Sequence, residues 1–316
     1  MTSLLGTFLH TLETTLPVFA MVFIGLGLRR IGWIDHGFVA TASALVFKAT
    51  LPTLVFLSII RADLDTTLNA DMLGFYFFAT LVSFAAVWMW AVKRVHSEDR
   101  GVYVQGAFRG NCGIVGLALA ANLYGDYGLS AGGLLLGVVI VTYNSLSVIV
   151  LLAYQPGKTM NLATTLRDIA RNPLIIAVVV AIPFAALKLR LPGWVMTSGD
   201  YFASLTLPLA LLCIGATVSS KAIKKDSGPA VGSSVWKMIS LPAACTLVAW
   251  MAGFEGRELG LMFLFFASPT AAASFVMVKA IGGNDRLAAN IIALTTLLAS
   301  VTITIGVFIL QSAGLA

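Results

Sequence analysis

Residues 103–124, YVQGAFRGNCGIVGLALAANLY, and residues 261–282, LMFLFFASPTAAASFVMVKAIG, are both long and apolar enough to cross a bilayer. Each is interrupted midway by small and polar residues, RGNCG at 109–113 and SPTAAAS at 268–274. A membrane helix must satisfy its own backbone, because hydrocarbon offers no partner and each orphaned group costs several kcal/mol. A mid-span interruption is therefore tolerated only where the freed backbone meets protein or water. Two interruptions at matching places in the two halves of the chain predict opposed half-helix ends and unwound backbone near the bilayer midplane, the arrangement in which secondary transporters hold a small solute. An anion is favoured at the N-terminal half-helix ends, where the dipole is positive.

Working outward, 59% of the residues are hydrophobic and only 11% charged, which places the chain among integral membrane proteins. Apolar stretches of about 20 residues occur at roughly 11–28, 38–60, 72–92, 101–124, 129–153, 171–189, 200–220, 231–253, 258–281 and 287–312, so ten spans are expected. The first span has no basic residue before it, carries Glu13 and runs into Arg29 and Arg30; it is expected to stay as a helix rather than be cleaved as a signal. Cys112, Cys213 and Cys245 are scattered through spans and read as packing residues, with neither a disulfide framework nor a metal site among them. Trp33, Trp88, Trp90, Trp194, Trp236 and Trp250 lie near span ends and read as interfacial anchors.

Basic residues set the expected orientation. Loops after odd-numbered spans carry Arg29, Arg30, Lys93, Arg94, Arg100, Lys158, Arg167, Arg171, Lys221, Lys224, Lys225, Lys237, Lys279 and Arg286. Loops after even-numbered spans carry only Arg61, Lys188, Arg190 and Arg257. The positive-inside rule makes the odd loops cytoplasmic. Both termini lack Lys and Arg, so both are expected outside, in the periplasm of a bacterial inner membrane, with an even number of crossings between them. Topology accounts for the net charge of +6, and no nucleic-acid partner is needed.

The chain also reads as a duplication. TLPVFAMVFIGLGLRRIGW at 15–33 matches RNPLIIAVVVAIPFAALKLRLPGW at 171–194, and LPTLVFLSII at 51–60 matches LPLALLCIGA at 207–216, with Pro17 to Pro173 and Pro52 to Pro208 at one offset. LALAANLYGDYGLSA at 117–131 parallels FVMVKAIGGNDRLAA at 275–289. Two five-helix repeats, 1–156 and 157–316, fit all three matches, and an odd number of crossings per repeat makes them inverted.

The opening TLPVFAMVFIGLGLRRIGWID, LPTLVF in the second span, RGNCGIVGLAL in the fourth, YNSLSV in the fifth and the ending SPTAAASFVMVKAIGGNDRLAANIIALTTLLASV together resemble the auxin efflux carrier family over nearly the whole chain. Its bacterial members include malonate and other organic-acid permeases, and its plant members export the auxin anion. The resemblance implies an all-α, ten-helix fold like that of bile-acid sodium symporters, with helices 4 and 9 broken and crossing. It also implies a scaffold domain from helices 1, 2, 6 and 7, a transport domain from helices 3–5 and 8–10 that moves as an elevator, and a homodimer. The short loop at about 155–170, where plant members carry a long hydrophilic one, matches the bacterial type.

Candidate substrate-binding residues cluster at the breaks. Arg109 lies about 12 Å into its span, where a lipid-facing guanidinium is costly. It either clamps a carboxylate with a bidentate pair, or snorkels or bonds to broken-helix carbonyls. Asn111 stands at the break, with Cys112 and Gly113 beside it; the family resemblance places a substrate-contacting Asn here, and the alternative is an N-cap for a half-helix starting at Gly113. Ser268, Pro269, Thr270 and Ser274 form the second break, their hydroxyls available to a solute or to carbonyls freed by the proline. Tyr143 and Asn144 match the family's polar spot in the fifth span, with a helix-packing hydrogen bond as the alternative. Lys48, four residues before Pro52, either faces the cavity or donates to carbonyls loosened by that proline. Pro52 and Pro208 are expected helix kinks.

No Asp or Glu falls clearly inside a span: Asp63, Asp65, Asp71, Asp126, Asp200, Asp226, Glu255, Glu258 and Asp285 sit at ends or in loops, and His10, His36 and His96 at membrane edges. A carboxylate relay, an intramembrane enzyme and a midplane His switch therefore lack their side chains, and no cofactor is expected. The expected activity is carriage of a small carboxylate. Coupling to protons or sodium is left open, and a sodium-coupled organic anion symporter of the bile-acid type stands as the alternative.

Overall fold

The computed structural model describes residues 4–62, 69–154, 167, 170–217 and 227–316. Asp63, Asp65, Lys158, Lys221, Lys224, Lys225, Asp226 and nearly all of the loop at 155–170 lie outside the described residues. The described residues are all-helical: α1 Leu4–Arg30, α2 His36–Arg61, α3 Ala70–Arg94, α4 Ser97–Phe108, α5 Cys112–Ala153, α6 Pro173–Ala186, α7 Gly193–Thr217, α8 Gly228–Met251, α9 Gly256–Ala267, α10 Ala273–Ile281 and α11 Asp285–Ser312. By length and composition α1, α2, α3, α5, α7, α8 and α11 can each cross a membrane, while α6 is a shorter apolar helix.

Local chemistry fixes the ends. Asp35, Asn69, Asn172 and Asn284 each accept a backbone N–H of the helix that follows, at α2, α3, α6 and α11, which satisfies donors that a first turn leaves orphaned. Helices α2 and α8 each widen in mid-length into a π turn, Val46–Thr50 and Trp236–Ser240, and each turn runs directly into Leu-Pro, at Leu51–Pro52 and Leu241–Pro242. A proline ring in a regular helix clashes with the carbonyl four residues back; the wider turn, closed by Leu51 N–H to Val46 O and Leu241 N–H to Trp236 O, makes room for it. In α7 the helix breaks at Leu205, three residues ahead of Pro208.

At 42 residues α5 would extend ~63 Å if straight, about twice the hydrocarbon core. Gly125, at φ 56 and ψ −133, folds it into two helices. Because an L side chain is strained there by about 1–3 kcal/mol, Gly125→Ala is expected to lower the melting temperature of the purified protein by a few degrees. Gly27, a helical glycine with open space around its Cβ position, serves as the neutral control.

Helices α1, α2, α6 and α7 pack on one another, and α3, α4, α8, α9 and α11 form a second contiguous group, with α5 against both. Helices α1 and α7 approach backbone to backbone, where Gly25 faces Leu212 and Gly215 faces Val22 with no room for a Cβ on either glycine. Membrane helices associate through such small-residue contacts, since lipid supplies no hydrophobic drive. Large apolar side chains are exposed on the outer faces, among them Phe23, Val179, Trp194, Val301 and Ile305.

Candidate functional site at the crossing of two broken helices

The chain leaves helical geometry after α4 at Arg109 (φ −82, ψ 99) and after α9 at Ser268 (φ −57, ψ 135). The two extended segments meet and satisfy each other. Asn111 N–H donates to Pro269 O at 2.7 Å and Ala271 N–H donates to Arg109 O at 3.1 Å, so that Gly110 and Thr270 form a one-residue antiparallel bridge. This accounts for the backbone groups that hydrocarbon could not have served.

The hydroxyls of the second break are used in the same way. Ser268 Oγ donates to Leu264 O at 2.8 Å, Thr270 Oγ1 donates to Gly106 O at 2.7 Å, and Thr295 Oγ1 accepts the Thr270 N–H. Ser274 Oγ is buried without a partner among the described residues. None of Ser268, Pro269, Thr270 and Ser274 borders the adjoining cavity; that segment reaches it through Ala271, Ala272 and Ala273. Asn111 behaves oppositely. Its carbonyl accepts the N–H groups of Ile114, Val115 and Gly116, and its side chain makes no capping bond to the π turn Cys112–Gly116 that opens α5, a helix starting one residue before Gly113. The Asn111 amide, without a partner among the described residues, borders the cavity instead.

That cavity, about 1190 Å³, runs from the first break to the end of the bundle marked by Arg29, Arg30 and His36. Arg109, Asn111, Cys112, Gly113, Tyr143, Asn144 and Lys48 all border it, so seven of the expected residues are gathered there. Among the described residues its charged lining is Arg29, Arg30, Lys48 and Arg109, with no Asp or Glu. Arg109 is 8% exposed. Its Nη2 donates to Asn144 Oδ1 at 2.9 Å and its Nη1 to Ser147 Oγ at 3.2 Å and Met277 Sδ at 2.7 Å, all neutral acceptors. The guanidinium is thus fixed between α5 and α10 with its charge uncompensated. Lys48 is exposed to the cavity from α2 and has no hydrogen bond to a described residue. The Tyr143 and Tyr76 hydroxyls are hydrogen-bonded to each other at 2.9 Å, and Cys112 Sγ donates to Phe265 O at 3.3 Å. Cys112, Cys213 and Cys245 are free thiols, and among the described residues no His, Cys, Asp and Glu cluster is placed to hold a metal.

Lys237 corrects the charge map. The sequence reading counts it in a cytoplasmic loop, whereas it is 1% exposed inside α8, with Nζ donating to Phe266 O at 2.8 Å. A signal for it exists in the sequence: Lys237 lies five residues before Pro242 and Lys48 four before Pro52, each in a π turn before Leu-Pro. Ser147 and Met277, which hold Arg109, fall inside the YNSLSV and SPTAAASFVMVK stretches, but nothing in their residue types singled them out as site residues.

The bilayer-length apolar helices and the cavity against a buried polar break fit a membrane transporter, which is what the family match shows the chain to be. It belongs to the auxin efflux carrier family, whose profile, described as "Membrane transport protein", matches residues 10–161 and 156–307. The "Putative malonate transporter" of Rhizobium meliloti is 24% identical over 309 residues, 95% of this chain and 96% of the relative. An "Uncharacterized transporter" of Methanocaldococcus jannaschii is 21% identical over 302 residues, 90% and 94% of the two chains. Another from Methanothermobacter thermautotrophicus is 21% identical over 299 residues. The family consists of membrane transporters, not enzymes.

Proposed function

We propose that this protein is a carrier of small organic anions, with Arg109, Asn111 and Lys48 as the groups that meet the substrate's carboxylate and with the chain in an inward-facing state. The observation that carries the reading is the charge of the cavity, in which four basic side chains face no carboxylate among the described residues. A buried guanidinium held only by neutral acceptors gains from an anion: at ~4 Å and an effective dielectric near 20 the attraction is about 4 kcal/mol.

The architecture underlying the proposal has ten crossings in two inverted repeats, 1–156 and 157–316. The fold of α5 at Gly125 supports it by turning one long run into two crossings, as do the paired breaks. The two packing groups support a scaffold of α1, α2, α6 and α7 against a transport domain that contains the crossing and slides past it. The cavity borders Arg29 and Arg30, the end that the positive-inside rule assigns to the cytoplasm. At the opposite end α1 is closed on the other group by Thr15 to Thr304 at 3.1 Å, Thr11 to Gln311 at 2.8 Å and Asn122 Nδ2 to Thr14 O at 3.1 Å. A homodimer through the scaffold and a bacterial inner-membrane location complete the reading.

The test is radiolabelled malonate uptake into proteoliposomes preloaded with unlabelled malonate, a tracer exchange that registers electroneutral transport as well. Malonate heads the panel because of the name of the Rhizobium meliloti relative, with succinate, acetate and an indole carboxylate as competitors. Wild type is expected to exchange at least one of these acids, and Asn111→Ala to weaken its apparent affinity by about 10-fold, the effect of one hydrogen bond to a charged group. Exchange of none of them, or competition by cations instead, would remove the proposal.

A further inference from the structure

The buried Lys237 ammonium does not border the cavity. It lies between the last turn of α9, whose Phe266 carbonyl it meets at 2.8 Å, and the backbone of the facing break, where a Cβ on Gly110 would come within 3.1 Å of Nζ. The C-terminal end of a helix carries about half a negative charge in its unsatisfied carbonyls. Here that end is buried in mid-bundle, with Phe265 and Phe266 both buried. Phe265 O is served by Cys112 Sγ and the Ser268 N–H, and Phe266 O has Lys237 as its hydrogen-bonding side chain. Arg109 is turned away, toward Asn144, Ser147 and Met277. Among the described residues the one ion pair is Arg61 with Asp200, far from the crossing, so Lys237 has no carboxylate partner. A buried ammonium without a counterion is costly, so an ionisable side chain inside a membrane bundle marks a functional position.

We propose that Lys237 is a tethered cation, standing where a crossing of this kind would otherwise bind a small metal cation, and that it makes the crossing independent of sodium. The proposal deepens the transporter reading and rests on it. It assigns Lys237 as a positioning residue: it holds α9's end, and through Gly110 the first break, without contacting the substrate. Removing the side chain should expose a vacated cation site lined by carbonyls, which small cations can then fill.

The experiment compares the melting temperature of the full-length protein in sodium, potassium, methylammonium and choline chloride at equal ionic strength. Wild type is expected to be indifferent to the cation. Lys237→Ala is expected to melt lower in choline and to recover about 3 °C in ~100 mM sodium, potassium or methylammonium. Lys237→Met, which fills the space without charge or donor, is expected to show no recovery. Cation-dependent melting of wild type, an equal recovery of Lys237→Met, or indifference of Lys237→Ala to all three small cations would each overturn the proposal. If Lys237→Ala yields no folded protein, Lys237→Ser is read by the same criteria. No transported substrate is needed for this readout, so its failure is distinguishable from failure of the anion reading.

Discussion

Replacing Arg109 by Gln is expected to weaken the apparent affinity for the transported anion at least ~30-fold, the lower end of the range for truncating one member of a buried charge pair, and so to abolish transport at ordinary substrate concentrations. The guanidinium borders the cavity and is oriented by three neutral acceptors on two helices. Orientation of that kind costs side-chain entropy in advance, so the anion gains the full value of a fixed bidentate donor. Lys at this position keeps the charge but lacks the planar fork that reaches Asn144 and Ser147 together, and Arg109→Lys is expected to recover only part of the affinity. Ser147→Ala, which removes one support and leaves the charge, should shift affinity by no more than about 10-fold. Competition measurements with each variant at matched protein content check these three results. Arg109→Gln with wild-type affinity and merely less folded protein would make Arg109 a packing residue.

The second large effect concerns assembly. Gly215→Leu is expected to lower the melting temperature by at least ~6 °C or to prevent recovery of monodisperse protein. A Cβ at Gly215 would overlap the carbonyl of Val22, and a Cβ at Gly25 the carbonyl of Leu212. Overpacking against movable side chains costs about 1–3 kcal/mol, and here the neighbouring atoms are backbone, which can yield only if α1 and α7 separate. Gly25→Leu should match it, whereas Gly27→Leu, with nothing within 4 Å of its Cβ position, should melt like wild type. Size-exclusion profiles and thermal melts of the three variants decide the point.

The crossing was legible because RGNCG and SPTAAAS violate a strict rule, that a membrane helix keeps its hydrogen bonds, and a violation can be read locally. What the freed groups bond to was not legible. Ser268 and Thr270 have the right chemistry for a solute, but their hydroxyls are taken by Leu264 O and Gly106 O. Asn111 has the right chemistry for a cap, and its side chain is left to the cavity. Residue type alone does not choose between these outcomes, because the deciding acceptor lies on the same turn in one case and 164 residues away in another. Lys237 escaped for the same reason. A lysine near a span end reads as a loop cation until the carbonyl it neutralises, 29 residues on, is brought beside it. The glycine contact between α1 and α7 was likewise hidden, since a small residue in a membrane helix has no signature until its partner helix is known.

The most direct measurement of the central claim is substrate-evoked current from proteoliposomes on a solid support. Wild type and Arg109→Gln are challenged with malonate, succinate, short monocarboxylates and an indole carboxylate, each in sodium and in choline. A current evoked by one or more of these anions in wild type and lost in Arg109→Gln is the result the cationic cavity predicts, whether or not choline replaces sodium. A wild-type current that survives in Arg109→Gln with unaltered affinity would contradict it.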